Sequence, residues 1–233
     1  FCLRWKFNSV LMNIVWFKRD LRLVDHGPLF DAAQDQAQLL LLHILEPDLW
    51  EEPDLSGRQY QFYLECLDDL KQQCAEKGYQ LTIRVGECKA IFKELHSKYA
   101  INQIFSHQET WNDWTYKRDT KLKKWFRLSG IQWHEYMQFG VFRPAINRDG
   151  WAARWQRLMD QDLKSIPTID SVVKLPSDDI PSEQSLFLKH DKCELRLKGG
   201  RKHGLEYLQT FFKTRGCHYT KAMSSPNTAP TAC

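Results

Sequence analysis

Five short apolar segments, at residues 13–17, 39–45, 81–85, 103–106 and 131–136, are separated by stretches of helical periodicity. This alternation constrains the fold more than any other feature of the chain. Strands that alternate with helices pair in parallel through crossover connections, and an uninterrupted apolar strand such as 39–45 needs cover on both faces. The expected architecture is α/β, a five-stranded doubly wound parallel sheet over residues 12–136. Between the strands, residues 57–77 put Tyr60, Tyr63, Leu64, Leu67, Leu70 and Cys74 on one helical face. Ser56 and Gln59 read as a capping box and Gly78 as the stop. Residues 89–99 carry Ile91, Phe92, Leu95 and Tyr99, and residues 113–129 carry Leu122, Trp125 and Phe126.

Beyond residue 136 the texture changes. Residues 140–163 are rich in Trp and Arg and include a short helix around Trp151–Met159. Residues 164–196 contain Pro167, Pro176 and Pro181 among many Ser and Asp, which reads as a long surface connection. Residues 199–215 open on Gly199-Gly200 and continue as a helix with Leu205, Leu208, Phe211 and Phe212. Nothing in this chain is expected to cover that stripe, so it reads as the first helix of an incomplete all-α domain and as a cause of poor solubility. At the other end, residues 1–11 read as an extension before a working start at Met12. They lack the apolar core and small-residue cleavage site of a signal peptide.

No apolar run approaches the ~18 residues of a membrane span. The seven cysteines are odd in number, scattered and never spaced as CxxC. That pattern indicates neither a zinc site nor a disulfide framework, but the reduced thiols of a cytoplasmic protein. The net charge of +4 is too mild to identify a nucleic-acid partner. Its distribution is uneven, with six Lys or Arg against one Asp over 117–127 and seven against one Glu over 196–221. Such runs are first of all solvated helix faces.

In an open α/β sheet the ligand crevice lies beyond the carboxyl ends of the strands. The loop after the first strand, Lys18 to Leu29, has one late glycine, Gly27, where a phosphate cradle would need several. A kinase, a P-loop ATPase and an NAD dehydrogenase are thereby disfavoured. The loop instead interleaves Lys18, Arg19 and Arg22 with Asp20 and Asp25. Two readings stay open: paired charges that fix loop packing, or a rim for a polar, planar or anionic ligand. His26, His43, His107 and His134 read as packing or hydrogen-bonding residues rather than metal ligands, and no nucleophile–base pair is evident. The nine tryptophans are first of all core or interface residues, although they also suit a planar chromophore.

The run Val15-Trp16-Phe17-Lys18-Arg19-Asp20-Leu21-Arg22-Leu23-Val24-Asp25-His26-Gly27-Pro28-Leu29 closely resembles the N-terminal signature of the DNA photolyase/cryptochrome family. His107-Gln108-Glu109-Thr110-Trp111, running to Arg118-Asp119, is similar to that family's stretch after its fourth strand. Gly199-Gly200-Arg201 through Phe211-Phe212, then Tyr219 and Ser225-Pro226-Asn227, is similar to its run into a flavin-binding helical domain. The resemblance covers residues 13–233 and only the first half of a family member. It implies a Rossmann-like antenna domain at 12–136, an interdomain connection at 137–198, and the truncated start of an FAD-binding helical domain at 199–233.

By resemblance, the parent protein is a deoxyribodipyrimidine photolyase, a flavin-dependent lyase that repairs pyrimidine dimers in DNA with light. Excited reduced flavin passes an electron to a flipped-out dimer, the ring splits, and the electron returns. The alternative is a cryptochrome, with the same fold and flavin but a signalling role. The resemblance also implies an antenna chromophore, folate or deazaflavin, whose excitation reaches the flavin through space. Arg19 matches a residue lining the antenna pocket of deazaflavin-binding relatives, and Tyr219 a tyrosine near the flavin phosphates. No catalytic or metal-binding residue is expected in this half. The partner is DNA containing pyrimidine dimers, reached through the full-length protein, which is expected to be a monomer without membrane association.

Overall fold

The computed structural model describes residues 11–35, 37–141, 148–190, 193, 196–222 and 224. The expectations for residues 1–10 and for Ser225-Pro226-Asn227 lie outside them. Five strands, β1 (Met12–Phe17), β2 (Gln38–Leu45), β3 (Leu81–Val85), β4 (Ile101–His107) and β5 (Gln132–Tyr136), form one parallel sheet in the order β3-β2-β1-β4-β5. The intervening helices are α1 (Gly27–Ala32), α2 (Gly57–Glu76), α3 (Cys88–Lys98) and α4 (Asp113–Leu128).

Both faces of the sheet are covered, which is why its central strands are apolar without alternation. Ile14, Trp16, Leu40, Leu42 and Ile44 pack with Phe92 and Leu95 of α3 and with Leu122 and Phe126 of α4. The alternate residues Val15, Phe17, Leu39 and Leu41 pack with Leu29 of α1 and with Leu67, Leu70 and Cys74 of α2. Each helix starts on a side-chain cap. His26 Nδ1 accepts from Leu29 N, Ser56 Oγ from Gln59 N, Glu87 from Ala90 N and Asn112 from Thr115 N. The Ser56–Gln59 pair differs from a reciprocal capping box. Ser56 Oγ donates to Gln59 Oε1, and Gln59 Nε2 turns away to Asp54 O.

The segment expected to be a surface connection is tied into the sheet. Leu39 N donates to Ser171 O and Val173 N to Leu39 O, both at 2.9 Å. Along the outer edge of β3, Asp178 N donates to Ile83 O, while Ile83 N and Val85 N donate to Ser177 Oγ and Asp178 Oδ2. Ile169 is buried, and Val172, Leu175 and Ile180 pack on the core. Edge amides need partners, and this strand-like run supplies them despite its prolines.

Further along the chain, α5 (Trp151–Met159) coincides with the expected short helix, and α6 (Arg201–Lys213) leads through a 3₁₀ turn into α7 (Tyr219–Ala222). Neither α5 nor α6 buries a residue, and Phe212 is 75% exposed. Among the described residues no helix is long and apolar enough to cross a membrane.

Candidate functional site

The chain runs outward from β1 to β2 and β3, then returns to place β4 on the other side of β1. Such a reversal opens a crevice at the carboxyl ends of the strands. A cleft of about 270 Å³ lies there, lined by residues from the ends of β1, β2 and β4 and by α2. Its walls are largely aromatic and aliphatic, with Trp50, Tyr63, Leu49 and Phe62 among them, and its other side is charged.

The charged side is an alternating chain. Lys18 Nζ pairs with Asp119 Oδ2 at 2.8 Å, and Asp119 Oδ1 accepts from Arg118 Nε at 2.9 Å. Arg118 Nη1 meets Glu46 Oε2 at 2.7 Å, and its Nη2 meets Glu109 Oε2. Glu109 Oε1 in turn holds Arg19 Nε at 2.9 Å. Among the described residues, three cations thus face three carboxylates. Burial alone would depress the Arg118 guanidinium, but Glu109, Asp119 and Glu46 outweigh it and raise its pKa well above the usual value. Burial pushes the Glu46 carboxyl up, with Arg118 and the Cys88 N–H opposing. Of the basic run 117–127, then, Arg118 is not on a solvated face. It points inward under the sheet ends, while Lys117 pairs on the surface with Asp113.

Arg19 sits at the mouth of the cleft, its side chain 45% exposed and its guanidinium 4.1 Å from the centre of the Trp111 ring. Glu109 engages its Nε, and among the described residues no partner is seen at its terminal nitrogens. The loop's charges are thus paired, as the packing reading expects, and Lys18 and Arg19 also lie at the rim of a cleft. Tyr219, the other candidate, is not brought to this place. It lies at the start of α7, 40% exposed, with its ring edge-on to Phe211.

Asp20 anchors the loop from below. Its Oδ1 accepts from Lys18 N at 2.7 Å, and its Oδ2 contacts His26 Nε2 at 2.8 Å and His107 Nδ1 at 2.5 Å. Burial pushes the Asp20 carboxyl up, but the two imidazoles outweigh it and hold it well below the carboxylate range. These three residues are near enough to suggest a metal site. The tautomer argues otherwise. His26 Nδ1 accepts the Leu29 amide proton, so in the neutral ring Nε2 carries the hydrogen and offers no lone pair to a cation. The cluster is a hydrogen-bonded clamp between the ends of β1 and β4. His134 likewise stacks on Phe105 and bonds to Gln103.

Glu46, Arg118, Tyr63 and Trp50 were missed as site residues. The available signal was a carboxylate just past each of two apolar strands, Glu46 after β2 and Glu109 after β4, each demanding a buried cation. α2 also receives α6: Gly199 N donates to Glu65 Oε2, Gly200 N to Cys66 Sγ and Arg201 N to Asp69 Oδ2. Arg196 forks onto Glu65 at 2.6 and 2.9 Å, and this pairing brings the Glu65 carboxyl down to about 2. Cys66 lines the cleft as well, its thiol pushed up by burial.

The family model described as DNA photolyase matches residues 13–150, more than half of the chain. Cryptochrome DASH, chloroplastic/mitochondrial, of Arabidopsis thaliana is 30% identical over 105 residues, covering 42% of this chain and 18% of that protein. Deoxyribodipyrimidine photo-lyase of Salmonella typhimurium is 41% identical over 70 residues, covering 30% of this chain and 15% of that one. Among solved structures, the Synechocystis cryptochrome superposes with a TM-score of 0.73 at 16% identity, over 95% of this chain and 50% of that one. The chain thus spans half or less of the length of each of these proteins.

Proposed function

The chain belongs to the DNA photolyase family, and on that premise we propose that it is the light-harvesting half of a flavin-dependent, photolyase-type protein acting on pyrimidine dimers in DNA. In this reading, residues 12–136 are the antenna domain, 137–198 the connection and 199–233 the start of the FAD-binding domain. The cleft at the carboxyl ends of β1, β2 and β4 holds the antenna pigment, a folate or deazaflavin. The observation that carries the reading is Arg19, which lies over Trp111 at the mouth of an aromatic-walled cleft with its terminal nitrogens unpaired among the described residues.

The residues present fit a planar pigment. Trp50 and Tyr63 offer ring faces and edges, and the charges of the opposite side are already satisfied among themselves. Arg19 can therefore bind a ligand oxygen without leaving a buried charge unpaired. A bound pigment supplies absorption at wavelengths where the protein has none. The chain's own residues orient it and exclude water from it. Tyr219 is exposed and lines no part of the cleft, and its place near the flavin phosphates is a proposal about the longer protein.

The relatives' names support a second reading, a cryptochrome that signals without repairing, since cryptochromes and a photo-lyase match alike. Exposing the complete protein to blue light with dimer-containing DNA separates the two. Repair supports the lyase, whereas no repair with a normal flavin spectrum supports the cryptochrome. For this chain alone the expectation is no photorepair and no stoichiometric FAD, which an absorption spectrum of the purified chain checks. In the complete protein, unchanged FAD retention after Tyr219→Ala would remove Tyr219 from the site.

A further inference from the structure

Two side chains lining the cleft form a hydrogen-bond chain whose direction is fixed. Phe17 O is a carbonyl and can only accept, so His43 Nδ1, 2.9 Å away, carries a proton and donates it. The ring is fully buried and neutral, its pKa drawn down by burial to about 4. His43 Nε2 is consequently a bare lone pair. Tyr63 Oη is in contact with that nitrogen and must give it the phenol proton.

Tyr63 has a single proton, and it is committed inward. Among the described residues none donates to its oxygen. Burial also keeps the phenol from ionising, raising its pKa well above the usual value. Beside a cleft that both residues line, Tyr63 therefore presents an acceptor and never a donor. At the mouth the polarity is reversed, for the terminal nitrogens of Arg19 can only donate.

We propose that Tyr63 is a specificity-determining residue of this cleft, accepting a hydrogen bond from a ring N–H of the ligand and so selecting planar heteroaromatic rings in the lactam form. The proposal rests on the reading of the cleft as a pigment site and narrows it. Rings with an N–H beside a carbonyl are favoured, and the same rings alkylated on that nitrogen are rejected. A site built to pair a ligand N–H discriminates strongly against an analogue lacking it, because the site's own polar atom is then left unpaired.

The test uses the full chain and two probes, riboflavin and its N3-methyl derivative, titrated by fluorescence quenching. Wild type is expected to prefer riboflavin, and Tyr63→Phe to narrow that preference by about tenfold. A methyl group that merely clashes would be disfavoured equally in both proteins, so the change in the ratio isolates the hydrogen bond. His43→Leu provides a second route. It removes the inward acceptor, frees the phenol proton to turn outward, and should narrow the preference with Tyr63 still in place. A ratio unchanged in both variants overturns the proposal alone. Failure of wild type to bind either probe overturns the pigment-site reading and the proposal with it.

Discussion

Arg118 Nη1 meets Glu46 Oε2 at 2.7 Å, joining the first turns of α4 to the end of β2 across the carboxyl edge of the sheet. Through its Nη2 the same guanidinium reaches Glu109 beyond β4, and its centre lies 5.0 Å from the Trp16 ring. One side chain thus holds two carboxylates that would otherwise face each other at the base of the cleft.

Replacing Arg118 with Met leaves buried Glu46 without its cation and takes one of its partners from Glu109, which keeps Arg19. Breaking a buried pair in this way costs about 3–5 kcal/mol. Urea unfolding at neutral pH should show that loss. Arg118→Lys should recover only part of it, since an ammonium cannot fork onto both carboxylates. A loss below about 1 kcal/mol for the Met variant would mean that the pairing is as weak as a surface ion pair.

His43 makes stability depend on pH. Its pKa falls from the ordinary 6.5 to about 4 in the folded protein because burial penalises the imidazolium. Between those values the unfolded chain binds a proton that the folded one refuses. The stabilising contribution is therefore complete above pH 6.5 and lost as pH falls towards 4, up to about 3 kcal/mol in all. His43→Gln should flatten the slope of unfolding free energy against pH in this window. Buried His26, whose pKa is also lowered by burial, keeps the remaining slope. Identical slopes in the two proteins would contradict the assignment.

The joint between α2 and α6 depends on the absence of a side chain at Gly199. A Cβ there would run into the Phe62 carbonyl oxygen and lie 2.9 Å from Cys66 Sγ. Gly199→Ala should loosen the joint, raising amide hydrogen exchange at residues 199–201, and should cost about 1–3 kcal/mol. Gly204, inside α6, has open space around it. Gly204→Ala should instead gain up to about 1 kcal/mol from helix propensity. Equal effects of the two substitutions would show that the joint contributes nothing.

The Asp20, His26 and His107 cluster should ignore metals. Because His26 Nδ1 is occupied by the Leu29 amide, its Nε2 faces Asp20 with a hydrogen. Thermal unfolding is expected to be the same with EDTA as with a small excess of zinc. A zinc-dependent rise in Tm that disappears in His26→Asn would show that the ring had flipped its tautomer to bind the ion.

The sheet was legible in the sequence because its central strands are continuous apolar runs and the longest helix carries its cap and stop in Ser56 and Gly78. Arg19 was legible through the motif around it. Arg118 was hidden inside a basic helix, where one inward-facing guanidinium cannot be told from five outward-facing cations by composition. Tyr63 was hidden in the opposite sense. Helical periodicity registers it as core and is blind to where its hydroxyl goes. Ser171 to Asp178 was hidden by its serines and Pro176, since the need it meets, unpaired edge groups of Leu39 on β2 and of Ile83 and Val85 on β3, arises from the sheet and not from the segment itself.

The cleft at the ends of β1, β2 and β4 is the proposed seat of a planar ligand. The most direct measurement is a riboflavin titration of the full chain, followed by the indole N–H signals in a nitrogen-15 correlation spectrum. The account predicts that Trp50, Trp111 and Trp16, which line the cleft, shift together and saturate. Trp151 and Trp155 of α5 should stay in place. Shifts confined to Trp151 and Trp155, or none at saturating ligand, would contradict it.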